Sequence, residues 1–149
     1  MLLVAGIVWA KAATETPVAG QWINFVHGDP ARAWIDEDGI SHIRGQPYWV
    51  EVIGDLEREA ISVCYLNLDL ATGNGDGGGT VTYNVSWGEL SGSFEGRFIV
   101  TLTDWWAAGH GVAHGTGDFE GMKLMITLEG NFFWPWRDWE GIILDPHGE

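Results

Sequence analysis

GSFEGRFIVTL, residues 92–102, and GDFEGMKLMITL, residues 117–128, are two copies of one pattern. Each begins with Gly-x-Phe-Glu-Gly and continues into an apolar run that ends in Thr-Leu. Glycines around an aromatic residue, followed by alternation, are typical of β-strands that begin at a tight bend. The repeated pattern therefore predicts a protein built from β-hairpins.

The two copies differ in length by one residue. In the first, Phe94 shares one strand face with Val100 and Leu102, whereas in the second Phe119 is out of step with the apolar residues that follow it. Because a one-residue shift exchanges the two faces of a strand, we predict a β-bulge near Gly121 that returns Phe119 to the core. Glu95 and Glu120 resemble a matched catalytic pair, but their bend positions and strand parity predict that they face solvent.

The rest of the chain also carries strand patterns. Thr80–Trp87 alternates most clearly, and Ala60–Leu70 is apolar on both faces, which predicts burial on both sides. Further strands are predicted at Gln21–Val26, Ala33–Ile35, Ile40–Arg44, Tyr48–Ile53 and Gly141–Leu144. The glycine-rich stretches Thr72–Gly79 and Asp104–Gly115 are predicted to be connections. About eight strands at this spacing predict an all-β, single-domain antiparallel β-barrel, with a β-sandwich as the alternative.

Composition narrows the function classes. The chain has 149 residues, 46% of them hydrophobic, which is enough for one domain with a proper core. Seven Lys and Arg against 21 Asp and Glu give a net charge of −14. Such a charge repels nucleic acid and anionic membrane surfaces, so no nucleic-acid partner is expected. Cys64 is the only cysteine and is predicted to be a buried, inert thiol; this rules out an internal disulfide or a cysteine-based metal site.

Residues 1–12 (MLLVAGIVWAKA) form an apolar segment that precedes the predicted barrel domain at 13–149. The apolar run Leu2–Trp9 is too short to span a bilayer, but with the following Ala-Lys-Ala it fits a signal peptide that lacks its positive start. This pattern predicts a secreted or periplasmic protein, and otherwise a cytoplasmic one. The alternative is a strand that is added to a neighbouring subunit, which predicts a homo-oligomer.

One segment resembles a known family. HGTGDFEGMKL, residues 114–124, together with the earlier GSFEG, is similar to the glycine-rich strand starts of allene oxide cyclase-like and lipocalin-like small barrels. The resemblance covers about a quarter of the chain. It implies a barrel that holds a small apolar molecule in its lumen, with cyclase chemistry in some members. None of the family's catalytic residues maps onto a position of this chain.

Two groups of residues are candidates for catalysis. His110 and His114 lie within a glycine-rich stretch beside two tryptophans, and imidazole suits general acid–base work near neutral pH. In an extended strand their Cα atoms would be about 13 Å apart, so a shared metal is not expected. His42 and Arg44 share a strand face and could hold a carboxylate or enolate if that face is the lumen. The alternative is an outward polar pair, and no cofactor or metal is predicted.

The aromatic content suggests three uses. Ten tryptophans exceed what core packing needs, so they could line a ligand pocket, stack on sugars or cover a subunit interface. A hydrophobic plug over one barrel end is the purely structural alternative. The predicted ligand-binding residues are Trp105, Trp106, Trp134, Trp136, Trp139 and Tyr83.

The leading functional hypothesis is that the lumen binds a small apolar or aromatic molecule, with isomerase or cyclase chemistry as an extension. The second hypothesis is a non-catalytic secreted protein that self-assembles through its N-terminal strand. The third is carbohydrate binding through exposed tryptophans.

Overall fold

A computed structural model describes residues 13–146, and within this range nine strands run antiparallel to their neighbours. The strands are β1 (Thr14–Val26), β2 (Arg32–Ile35), β3 (Ile40–Gly54), β4 (Glu57–Asp69), β5 (Gly75–Trp87), β6 (Leu90–Thr103), β7 (Trp106–Gly117), β8 (Lys123–Asn131) and β9 (Trp136–Asp145). No helix in this range is long and apolar enough to cross a membrane. The predicted signal peptide or added strand at residues 1–12 lies outside the described residues.

The sheet closes on itself because β1 has two partners. Its residues 14–23 pair with β9, and its residues 20–26 pair with the second half of β3. The consecutive strands β3 to β9 complete the ring, and β2 is an additional strand beside the first half of β3. The prediction of a single-domain antiparallel β-barrel of about eight strands is confirmed.

Strand β3 joins two segments that were predicted as separate strands. The register against β4 shifts between Ile43 and Gln46, and Gly45 lies between them with a φ of 66°. This bulge exchanges the faces, so that Ile43 and Gln46 both lie on the inner side although their sequence parity differs.

The prediction of a connection at Asp104–Gly115 is wrong, because β7 occupies most of it. A Cβ on Gly109 would lie 2.6 Å from the carbonyl oxygen of Ile99, and one on Gly111 would lie 2.9 Å from that of Arg97. The glycines therefore allow β6 and β7 to approach closely. The low β-propensity of glycine suggests a loop there, but the pairing of β7 with both β6 and β8 overrides this preference. The predicted connection Thr72–Gly79 is likewise too long, since β5 begins at Gly75.

The two pattern copies do not form equivalent structures. The first lies inside β6, whereas the second forms the turn between β7 and β8, in which Gly117 and Gly121 have positive φ. The predicted bulge near Gly121 is therefore wrong: the turn itself brings Phe119 into the core. There its ring stacks on Phe94 at a centroid distance of 4.6 Å, and both side chains are fully buried.

One half of the barrel has a solid core. The Phe94–Phe119 pair belongs to a cluster of buried side chains contributed by all eight barrel strands and by two turns. Its largest fully buried members are Trp139, Phe94, Phe119, Leu56, Leu124, Ile143 and Val85. Glu95 and Glu120 are exposed, as predicted.

The prediction that β4 is buried on both faces is wrong. Ile61 and Val63 face outward and keep 49% and 45% of their surface exposed. Next to them on the outer face lie Phe25 and Trp49, whose ring centroids are 5.2 Å apart. We call these four residues the outer apolar patch. A continuous apolar run has the same pattern whether its second face is covered by the same chain or left open.

Replacing Gly96 by Ala is expected to destabilise the protein by about 1–3 kcal/mol. The added Cβ would overlap the carbonyl oxygen of Val112 and the Cα of Ala113, so β6 and β7 would have to separate. The matched control is Thr101→Ala, at an exposed position of the same strand. Urea unfolding measures both, and equal stability of the two variants would contradict the close approach of these strands.

Candidate ligand-binding cavity

The second half of the barrel is hollow. A cavity of about 310 Å³ lies above the solid core and reaches the surface beside Phe133 and Trp134, which are both more than half exposed. All eight barrel strands contribute inward residues to it, and its floor is formed by Trp22, Val81 and Tyr83. The remaining apolar lining includes Leu66, Phe98, Val100, Leu102, Ala107, Leu128 and Phe132.

The cavity exists because β5 supplies no side chains at this level. Its glycines Gly77 and Gly78 line the cavity, whereas Val81 and Tyr83, the first inward residues of β5 that carry side chains beyond them, fill the barrel below. A Cβ on Gly77 would lie 2.9 Å from the carbonyl oxygen of Tyr65, so close strand approach also favours glycine there. The interior of an eight-strand barrel is just wide enough for side chains to fill it, so missing side chains leave a space.

Three connections meet at the open end of the cavity. The backbone N–H of Trp105 donates to the carbonyl of Gly73 at 2.9 Å, and that of Phe132 donates to the carbonyl of Trp105 at 2.8 Å. Trp105 has a φ of 65°, and its ring lies against Phe133 at 4.8 Å. The rim is thus one hydrogen-bonded unit of aromatic residues, and the β8–β9 loop forms one side of the opening.

Arg137 is the charged residue of the cavity wall. The residue lies on the inner face of β9, and only 9% of its surface is exposed. Its Nη1 donates to the carbonyls of Trp134 and, at 3.0 Å, Trp136, while its Nη2 donates to that of Phe132 at 3.2 Å. The guanidinium therefore holds the β8–β9 loop against the rim.

Several polar groups of the lining have no protein partner. The indole N–H of Trp22 is buried and donates to no acceptor among residues 13–146. Tyr48 and Tyr83 also line the cavity, and burial raises the pKa of both phenols, so both stay protonated donors near neutral pH. Burial likewise raises the pKa of the Cys64 thiol, in line with the predicted inert thiol.

The predicted ligand-binding residues separate into four groups. Tyr83 and Trp134 line the cavity, and Trp105 packs behind the rim. Trp106 and Trp136 are about half exposed, and Trp139 is part of the solid core.

His110 and His114 lie on the outer face of β7. Both are exposed, while their neighbours Ala107 and Ala113 are buried on the inner face. The structure therefore does not bring these imidazoles into the cavity, and their catalytic role stays a prediction.

His42 and Arg44 also lie on the outer face, where they form a polar cluster with the Asp36 turn. The two ring nitrogens of His42 are each 2.7 Å from an acceptor, Asp36 Oδ2 and Asn67 Oδ1. Arg44 Nη2 donates to the same Asn67 oxygen at 2.7 Å. The His42 ring also stacks on Trp34 at 4.8 Å. The hydrogen bond to Asp36, followed by that to Asn67, raises the pKa of His42 above its ordinary value.

Residues 13–146 contain no group of three or more His, Cys, Asp or Glu side chains that could hold a metal ion. At the Asp36 turn, the carboxylate accepts the backbone N–H groups of Asp38 and Ile40 at 2.9 and 3.0 Å. This is ordinary Asx-turn chemistry.

Sequence reasoning missed the residues that give the cavity its polarity: Trp22, Tyr48 and Arg137. Trp22 and Tyr48 share the inward parity of their strands with buried valines, which is a usable signal. Arg137 had no such signal, because the last strand was predicted only at Gly141–Leu144, whereas β9 begins at Trp136.

No protein-family model matches the chain, and no curated protein is significantly similar to it. Among solved structures, it is similar to the crystal structure of a protein of unknown function from the DUF3224 family of Shewanella oneidensis MR-1. The two share 16% sequence identity with a TM-score of 0.70, and the match covers 87% of this chain and 97% of that one. This likeness supports the barrel fold alone.

An NMR titration is expected to give His42 a pKa above 6.5. Its two acceptors favour the protonated ring, so the cluster's contribution to stability is present below pH 6.5 and is lost as the pH rises through the raised pKa. Asp36→Asn should lower this pKa, whereas Asp38→Asn, in the same turn, should leave it in place. A His42 pKa that Asp36→Asn does not move would contradict the pairing.

Proposed function

We propose that this protein binds a small apolar or aromatic molecule in the lumen of its barrel. The observation that carries the proposal is the 310 Å³ cavity in the open half of the barrel. Its volume is about twice that of an apolar cavity that holds benzene, at ~150 Å³, and lies at the lower end of the range for ligand pockets, about 300–1,000 Å³. It therefore suits a ligand of one or two rings.

The uneven filling of the barrel supports a binding role. Protein interiors are normally close-packed, and an unfilled apolar space lowers stability. Here the lower half is fully packed, so the chain is able to fill its interior where no site is needed. The hollow half combines apolar walls with a few unpaired donors, which is the usual character of a small-molecule site.

The resemblance to allene oxide cyclase-like and lipocalin-like barrels enters as part of this proposal. The hollow lumen supports kinship with such barrels, while the cyclase or isomerase chemistry has less support. The phenols of Tyr48 and Tyr83 have raised pKa values and would act as hydrogen-bond donors, not as bases. We therefore propose binding without assigning a reaction.

Carbohydrate binding has less support than lumen binding. Stacking on a sugar would favour coplanar, exposed tryptophan rings, but the exposed rings of Trp134 and Trp136 are inclined by 47° to each other.

Prodan, a neutral fluorescent probe with a two-ring naphthalene body, tests lumen binding. We expect saturable binding of one probe per chain, detected as an increase in its fluorescence. Val100→Trp should abolish binding because the larger ring fills the cavity that Val100 lines. The matched control is Ile99→Trp, since the neighbouring side chain points outward and is 53% exposed.

Two outcomes would contradict lumen binding. One is the absence of saturable probe binding to the wild-type protein. The other is equal probe binding by the Val100→Trp and Ile99→Trp variants, because the probe would then occupy the outer surface.

Self-association is a second candidate, supported by the outer apolar patch. Phe25, Trp49, Ile61 and Val63 form adjacent exposed apolar side chains on β1, β3 and β4. Contiguous exposed apolar surface is characteristic of protein interaction sites. A second copy of this chain is the partner that we propose for this surface.

Light scattering after size-exclusion chromatography tests this candidate. We expect the wild-type protein to associate, and Ile61→Thr/Val63→Thr to shift it to the monomer, because both threonines suit an exposed strand. Ile99→Thr, an equally exposed apolar position on β6, is the control and should still associate. A monomeric wild-type protein, or a double variant that associates like the wild type, would contradict it.

A further inference from the structure

The charge of the cavity is opposite to the charge of the protein. The chain carries a net charge of −14, with three acidic residues for each basic one. Among residues 13–146, the cavity lining nevertheless contains no Asp or Glu, and its single charged residue is Arg137. No carboxylate among residues 13–146 lies within ion-pair distance of this guanidinium. The site therefore holds a buried cation that has no counter-ion in the part of the chain that the structure describes.

Arg137 also has N–H groups that form no hydrogen bond with the described residues. A guanidinium carries five N–H groups, and the bonds to the carbonyls of Trp134, Trp136 and Phe132 use three of them. Its Nε and the second hydrogen of Nη2 have no partner among the described residues. Three backbone carbonyls compensate part of the cost of burying the cation, but they carry no charge.

Other polar groups of the described lining can donate as well, while the Asn24 amide, the Ser62 hydroxyl and the phenols can also accept. The indole N–H of Trp22 is buried without an acceptor, and the residue is 8% exposed. The protonated phenols of Tyr48 and Tyr83 can each donate one hydrogen bond. Acceptors on a ligand would satisfy the donor-only groups, which are the Trp22 indole and the Arg137 guanidinium, and a ligand that balances Arg137 must bring negative charge.

Resting on the proposed lumen binding, we infer that the ligand is a compact aromatic or alicyclic carboxylate whose acid group pairs with Arg137. The carboxylate would accept from the free N–H groups of the guanidinium, and the ring would occupy the apolar space between Phe98 and Val100. The volume of 310 Å³ favours a compact ring acid over a long-chain one. The acidic surface repels anions, so any preference for a carboxylate must arise inside the cavity.

Calorimetric titration with 2-naphthoate and its neutral isostere 2-naphthamide tests this inference. We expect the wild-type protein to bind the carboxylate about tenfold to hundredfold more tightly than the amide, as a charge-assisted hydrogen bond implies. Arg137→Met should bring the two affinities together. Arg97→Met, at an exposed arginine of β6, is the matched control and should keep the preference.

The outcomes separate the inference from the function on which it rests. Equal binding of acid and amide by the wild-type protein overturns the inference and leaves lumen binding intact, and this comparison needs no variant to fold. A preference that survives Arg137→Met overturns it as well, since Arg137 would then serve only as the clamp of the β8–β9 loop. Binding of neither naphthalene overturns the named ligand class, while failure of the neutral fluorescent probe removes lumen binding itself.

Discussion

The closure of the sheet through β1 is the constraint on which the rest of the structure depends. One strand of 13 residues pairs with β9 over its first part and with β3 over its last part. This pairing makes a ring of eight strands, whose interior is just wide enough to be filled by side chains. The size of each inward residue then determines whether a given level of the barrel is solid or hollow.

The same strands form a solid half and a hollow half of the barrel, because the size of their inward residues differs between the two. Strand β5 supplies Val81, Tyr83 and Val85 to the solid half, but Gly77 to the hollow half. The stacked pair Phe94 and Phe119 belongs to the solid half, which allows the other half to remain open. A fold of this kind separates stability from binding: one end carries the core, and the other end can be adapted to a ligand.

The alternation of apolar and polar residues determines how much of this fold the sequence can predict. Alternation at Thr80–Trp87 and in the two pattern copies was enough to predict the barrel fold. It was also enough to predict which residues of β6 and β8 face inward. It was not sufficient for β7, because glycines that allow close strand approach have the same pattern as a loop. It also could not assign Arg137 to the inner face, because an arginine in an aromatic-rich segment gives no parity signal. The site therefore differs from the predicted histidine cluster, which lies on the outer face.

The central claim is that the open half of the barrel is a binding site whose charge is supplied by Arg137. A crystal structure of the wild-type protein grown with 2-naphthoate tests it most directly. The account predicts a naphthalene ring inside the barrel, beside Phe98 and Val100, with its carboxylate within hydrogen-bond distance of the Arg137 guanidinium. A lumen filled by rearranged side chains, or a naphthoate bound only on the outer surface, would contradict it.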